Sequence, residues 1–570
     1  MLVSKKDLYQ LTIRVIIILT ATLLIWLLLQ SCTKKNDVNN GDITYGVTGV
    51  EPLVASSGDT VTLYGVGFTA DASGNTVSIH GASAKVVAAS SYSLQVIVPV
   101  APGLGTIQVS TGSRSSTYTG QFVLATIVTG PQSASATWTS DKLYVLENKV
   151  EFLKGTSLTV QPGTIILGDK DSLASLLIDD GAAISMKGTA MAPIVFSSVA
   201  PQSLRYPGDW TGITLAASAA PGTDTINYVR IEYAGNHPEN IPGAALEIDR
   251  SEPAGNISYV QTTYSAGDGF RCNGNGSTTY LDHLISFGDA GDDFSFEGNT
   301  RGIAQFLVGL KDPAYADALS ADNLLVQSSQ PVTISNLSAV GYDGIARNSI
   351  KQPSIFYSLN DFVLNDNSGR DIHVGGIPRG SNNPAVTGTL QLFNSLAAAP
   401  WLAGVSYDGP LAWAQYENGS TGSTVRNTTI TYARSSGMVQ TVFMPQSGYS
   451  LSIENISFPG SGFEPIQTSS TQYTTFFGYN DSSQLALNVL YSTQPGIDDL
   501  GIQKMCNYTD IAGPIFPLAA GSPLLTGADF SDARLNDPFF DKTGSFTGAF
   551  GAADWSKGWT NFSPQLTSYQ

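Results

Sequence analysis

Ile226-Asn227-Tyr228-Val229-Arg230-Ile231-Glu232-Tyr233, Ile257-Ser258-Tyr259-Val260 and Leu281-Asp282-His283-Leu284 align as one motif, and their spacing decides the fold. The second and third begin 24 residues apart, and in the same register Asp268-Gly269-Phe270 falls over Asp292-Asp293-Phe294, again 24 residues on. One turn of a parallel β-helix takes about this many residues, so each copy supplies one coil that stacks on the next at about 4.8 Å. Upstream, Leu158 to Leu167, Leu176 to Met186, Ile194 to Ser197 and Gly208 to Leu215 are short strands punctuated by Gly. Echoes at Ile334-Ser335-Asn336-Leu337, Val425 to Ile430 and Leu451 to Ile456 carry the coil far down the chain. An open stack exposes apolar rims and strand edges at its ends. Trp555, Trp559 and Phe562, in the stretch 521–570, are expected to cap it.

Composition supports an all-β protein. Of 570 residues, 13% are charged and 58 are Gly, a balance more typical of extracytoplasmic β proteins than of helical cytosolic enzymes. Acidic residues outnumber basic ones 46 to 28, and the net charge of −18 repels nucleic acid, which is excluded as a partner. Three cysteines cannot build a disulfide scaffold, and no Cys/His cluster has zinc spacing.

The N-terminus reads as an address. Lys5, Lys6 and Arg14 precede an apolar run from Val15 to Leu29, the layout of a signal peptide over residues 1–31. Leu29-Gln30-Ser31-Cys32 resembles the lipobox of bacterial lipoproteins, with Gln30 departing from the usual small residue. That resemblance implies lipidation of Cys32 and attachment to a membrane. Residues 32–43 form a polar tether similar to those of outer-membrane lipoproteins of the Bacteroidota. A lipid-anchored outer-membrane location, facing the cell surface or the periplasm, is the expectation.

Residues 44–125 alternate apolar and polar positions in short strands, as in Val61-Thr62-Leu63-Tyr64 and Leu94-Gln95-Val96-Ile97-Val98. Pro52, Gly58 to Phe68, Val98-Pro99 and Gly105 closely resemble the IPT/TIG family of immunoglobulin-like domains, most specifically at Gly65-Val66-Gly67-Phe68. The resemblance implies a spacer or interaction module without catalytic residues. His80, with no Cys or His partner nearby, reads as a solvated histidine. Residues 126–520 then form the long coil. Val160-Gln161-Pro162-Gly163-Thr164, Gly208-Asp209-Trp210-Thr211-Gly212-Ile213 and Asp292-Asp293-Phe294-Ser295-Phe296 look like the pectate-lyase-like right-handed β-helix proteins.

No GxSxG, HExxH, phosphate-binding or dinucleotide motif is present, and the candidate chemistry is carboxylate. Asp268, Asp289, Asp292, Asp293 and Glu297 fall within two adjacent coils, where stacked acids repel unless a donor, a proton or a cation intervenes. Three readings follow: turn capping by Asp side chains, a calcium site, and a glycosidase-type acid pair. The resemblance to polygalacturonase-type enzymes lacks the Gly-His-Gly and Arg-x-Lys elements of that group, and Arg271 and Arg301 do not replace them in spacing. Trp401, Tyr407, Trp413 and Tyr416, beside Asp408 and Glu417, form a second candidate, either a sugar-stacking surface or rings packed on the coil. Cys272 and Cys506 read as small buried hydrophobes or as a disulfide. The functional expectation is non-catalytic binding of polysaccharide or another surface partner, with a polysaccharide-degrading lyase or hydrolase, or a protein-contacting adhesin, as alternatives.

Overall fold

The computed structural model describes residues 45–100, 106–120, 122–216, 224–236, 243–250, 255–312, 322–341 and 514–569. Between 342 and 513 it describes the segments 372–375, 389–398, 403–408, 424–431, 436–440, 452–454, 456–459, 466–468 and 489–492. The chain divides near Phe122 into two compact units.

In the first unit, antiparallel strands pair in the order Gly46–Glu51, Thr60–Val66, Ser93–Ile97, Ala82–Ala89, Asn75–Ile79, Ile107–Thr111, Arg114–Tyr118. The alternation read in the sequence places Val61, Leu63, Leu94, Val96, Val77, Ile79, Ile107 and Val109 in the core, each at most 1% exposed. Gly65 has a steric reason to be Gly: a Cβ there would run into the Gly46 carbonyl and the Phe68 ring. His80 is half-buried and takes an edge-to-face position against Phe122.

The second unit is a parallel coil. Ile257 pairs with Leu281 and Phe270 with Phe294, so the 24-residue register is the one the backbone adopts. Coil lengths vary, from 18 residues between Thr126 and Tyr144 in the first rung to 58 between Ser335 and Phe393. Parallel stacking sets each side chain over its equivalent, and the interior is built of like-on-like columns. One column is Val229, Val260, Leu284, Leu307 and Leu337. The Phe270 and Phe294 rings stack at 5.3 Å in another.

One residue per coil turns the chain at a common corner. Tyr228, Tyr259, His283, Phe306, Asn336, Asn394 and Asn427 share a register, and all are left-handed, with φ between 50° and 59°. A left-handed L-residue costs roughly 1–2 kcal/mol. The first four offset it by stacking, Tyr228 on Tyr259 at 4.5 Å, Tyr259 on His283 at 4.5 Å and His283 on Phe306 at 4.6 Å. The last three are Asn, whose short side chain tolerates this conformation.

The C-terminal stretch does not lie where the sequence placed it. Residues expected to cap the end of the stack instead run along its flank, over the corner ladder. Asp532 pairs with Arg426 at 2.7 Å, and Tyr569 reaches back to Glu232, so the segment crosses coils from late to early. Trp559 meets Tyr228 and Tyr259 edge-on, Trp555 meets His283 at 4.8 Å, and Phe562 meets Phe287 at 5.3 Å. The coil holds this strap by its backbone. Gln261, Gln305 and Asn394 each close a two-bond ring, accepting the N–H and donating to the C=O of Asn561, Asp541 and Asp529 in turn. The strap has no regular period. Its shape comes from Asp529, Asp532, Asp537, Asp541, Asp554 and Asn561, each accepting the backbone N–H two residues on. Capping was the natural expectation because an open stack needs an end cover, but the exposed ring edges of the ladder offer the aromatic residues more partners.

Two stability measurements follow. Tyr259→Ala loses both ring stacks and keeps the strained corner, whereas Tyr259→Gly loses the stacks and relieves the strain. The Gly variant is therefore expected to be the more stable of the two by about 1 kcal/mol in urea denaturation. Tyr569→Phe removes the hydroxyl that donates to the buried Glu232 at 2.7 Å. Hydrogen exchange is expected to show loosening of the last strap residues, with a stability loss of about 1–3 kcal/mol.

Candidate functional site

The acids singled out in the sequence do fall on neighbouring coils, but they do not converge on one point. Asp268, Asp289, Asp292 and Asp293 are all completely buried. Asp268 Oδ1 accepts the Asp292 N–H at 2.9 Å, and Asp292 Oδ1 accepts the Asp322 N–H at 3.0 Å. Each carboxylate thus caps the amide of the next rung, which keeps stacked acids from facing one another. Asp268 Oδ2 takes Arg271 Nη2 at 2.8 Å and Nε at 3.0 Å.

Asp289 and Asp293 meet at a shared hydroxyl. Ser286 Oγ lies 2.7 Å from Asp289 Oδ2 and 2.6 Å from Asp293 Oδ1. A hydroxyl carries one proton, so one of the two carboxyls must carry another. Burial pushes both acids up, Asp293 to about 7 against the opposing pull of Lys311 at 3.1 Å. Thr262 Oγ1 and the Ser265 N–H complete the donors around Asp289, each at 2.6 Å. Protein donors therefore surround each of these four acids. Among the described residues no group of three or more His, Cys, Asp or Glu side chains is arranged to hold a metal.

Glu297 has a different setting, on the outer face of the strands Ala244–Ile248, Asp268–Cys272 and Phe294–Phe296. Register places Glu247 beside Arg271 and Arg271 beside Ser295. Arg271 stands between Glu247 at 3.7 Å and Glu297 at 3.5 Å, with those side chains 22% and 18% exposed. Asp249, at the end of the first of these strands, is pushed up to about 7 by burial first, with Glu247 adding to it and Arg271 opposing. Two acids, the largely buried arginine that bridges them and a readily protonated acid thus form a short polar row across successive rungs, whose partly exposed carboxyls can accept from hydroxyl groups.

Sequence reasoning named Glu297 and Arg271 but not Glu247, Asp249, Ser286 or Lys311. Glu247 and Asp249 flank Ile248 in strict alternation, a signal that the strand has one outward face. Lys311 ends the apolar run Phe306-Leu307-Val308-Gly309-Leu310 and is fully buried. Trp401, Trp413 and Tyr416 lie outside the described residues, as do Cys32 and Cys506. Tyr407 lies on the strand Ala403–Asp408, of which the backbone alone is described. Cys272 is buried and unbonded, its thiol pushed up by burial.

Residues 47–124 match the IPT/TIG domain model, and residues 130–224 match the pectate-lyase like beta helix domain. The chain joins an IPT/TIG domain to a pectate-lyase-like β-helix. No curated protein matches it in sequence. Among solved structures, an auxiliary nutrient binding protein from Bacteroides thetaiotaomicron is 26% identical over 15% of this chain and 21% of that one, with a TM-score of 0.14. The match thus spans about a fifth of that protein's length. Pectate lyase Pel9A is 14% identical over 73% of this chain and 89% of its own, with a TM-score of 0.32. The catalytic domain of a GH87 alpha-1,3-glucanase variant in complex with tetrasaccharides is 12% identical over 76% and 90%, with a TM-score of 0.33. The described coil of the β-helix extends well past the matched 130–224, since paired rungs continue to Val489–Ser492.

The raised proton affinity of Asp249 fixes a pH dependence. Its folded value, about 7, lies above the ordinary 3.8, so the protonated form favours the folded state, and that contribution is lost as pH rises from 3.8 to about 7. Asp249→Asn is expected to flatten this fall when wild type and variant are compared by urea denaturation across that range.

Proposed function

We propose that the protein is a lipid-anchored envelope protein whose β-helix binds polysaccharide without cleaving it. The observation that carries this reading is the row of Glu247, Asp249, Arg271 and Glu297 on the outer face of three successive rungs. Rungs repeat at about 4.8 Å, so an extended polymer lying along the stack would meet polar side chains at each one. The remaining acids support binding over catalysis, because Asp289 and Asp293 are sealed inside the coil and Asp268 and Asp292 are occupied with backbone amides. Cys32, in Leu29-Gln30-Ser31-Cys32, is the proposed lipid attachment. The 32–43 tether and the IPT/TIG domain would then hold the β-helix away from the membrane.

One observation favours the alternative, a glycoside hydrolase. Asp249, held near 7 beside Glu247, has the proton affinity of a general acid. The two readings separate in one experiment over a polysaccharide panel, with retention on affinity gels and new reducing ends measured together. Binding alone predicts retention without turnover, weakened about tenfold in Glu247→Gln through loss of a charged hydrogen-bonding group. Turnover abolished in Asp249→Asn would establish the hydrolase instead. Palmitate labelling lost in Cys32→Ala, with protease shaving of intact cells, tests the anchor and the face of the membrane it occupies.

A further inference from the structure

A second polar cluster, apart from the outer row, lies wholly inside the β-helix. Lys311 Nζ and Asp293 Oδ1 are 3.1 Å apart, and both side chains are 0% exposed. The Lys311 Nζ also donates to the carbonyls of Gly291 and Asp289. Ser286 Oγ connects Asp293 Oδ1 to Asp289 Oδ2 at 2.6 and 2.7 Å. Asn323 Nδ2 donates to Asp293 Oδ2 at 2.6 Å. Two glycines clear the space: a Cβ on Gly269 would press on Asp289, Thr262 and Ser286, and one on Gly309 would press on Asp293 and Asn323. The cluster is therefore a closed chamber fitted to these groups, one of several buried polar sites in the coil.

An ionised lysine and carboxylate sealed from water forfeit several kcal/mol of hydration each. Transfer of one proton from nitrogen to carboxyl leaves a neutral amine touching a neutral acid, the reactants of amide formation. Fixed contact supplies the proximity that a bimolecular condensation lacks, and the dry chamber keeps water from reversing it. A second carboxyl, that of Asp289, lies one hydroxyl away from Asp293 and can share a proton with it through Ser286.

We propose that Lys311 and Asp293 condense into an intramolecular amide cross-link. The Nζ–Cγ bond forms and the Cγ–Oδ1 bond breaks. Nitrogen gives up one proton to the departing Oδ1 across their 3.1 Å contact, while Asp289, through the Ser286 hydroxyl, holds the Asp293 carboxyl in its acid form. That oxygen leaves as water carrying this proton and the one already on the Asp293 acid. Asp289 ends unchanged, and no oxidant or cofactor takes part. The link ties the strand Phe294–Phe296 to the end of the strand Asn299–Leu310 by a covalent bond within the coil.

Tandem mass spectrometry of a tryptic digest of the full-length protein decides the matter. Trypsin cuts after Arg301, which places Asp293 and Lys311 on separate peptides. The linked protein yields one branched species lighter than its two arms by a single water, with cleavage after Lys311 blocked. Asp293→Ala and Lys311→Arg are expected to give linear peptides. Asp289→Asn, which keeps both reacting groups, is expected to leave most of the pair unlinked, and unchanged linkage in that variant would overturn the part given to Asp289. Linear peptides alone from folded wild-type protein, with its β circular dichroism intact, would overturn the cross-link even if the Lys311 variant fails to fold.

Discussion

Parallel stacking at one rung spacing is the constraint on which the β-helix depends. It sets every side chain directly over its equivalent in the next coil, so each position must tolerate a copy of its own kind at about 4.8 Å. Aliphatic side chains and rings satisfy this by contact, as the Val229 to Leu337 column and the Phe270–Phe294 pair do. Acids cannot, and the coil resolves the conflict by turning each carboxylate toward the amide of the following rung, as Asp268 does for Asp292. Where two carboxyls still come together, at Asp289 and Asp293, a shared hydroxyl and a buried lysine intervene.

The same constraint divides the corner ladder by chemistry. Its first four members are rings and its last three are amides, and the strap that covers it is divided in the same order. Phe546, Trp555 and Trp559 lie over the rings, while Asp529 and the Phe546 and Gly548 carbonyls meet Asn394 and Asn336. Backbone contacts through side-chain amides give the strap its hold, and the match of ring to ring and amide to carbonyl gives it one register.

The coil was legible from sequence where its length stayed near 24 residues, because equal spacing put Ile257 under Leu281 and Asp268 under Asp292 in plain view. The coil through Phe306 escaped notice because Ala304-Gln305-Phe306-Leu307 begins 23 residues after Leu281 and carries Ala where the others carry Ile or Leu. The 58-residue coil before Asn394 hid its repeat inside an insertion. The acids were visible, but not which way each pointed, since that depends on donors such as Ser286 and Lys311 that bear no motif. The strap was read as a cap on the end of the stack, whereas its contacts lie along the flank. Those contacts run to side chains 106 to 362 residues away, beyond any local pattern.

Those separations bear on the order in which the molecule assembles. A coil can add one rung at a time through contacts a few tens of residues apart, each closing a modest loop. The strap cannot begin to bind until the rungs holding Gln261, Gln305 and Asn394 are in place, because its partners are spread over all of them. Its full set of hydrogen bonds therefore closes only once those rungs are stacked. Interactions absent from the transition state leave the folding rate nearly untouched and slow unfolding by their full worth. A strap that closes last is expected to act as a kinetic lock, lengthening the lifetime of the folded coil without hastening its formation.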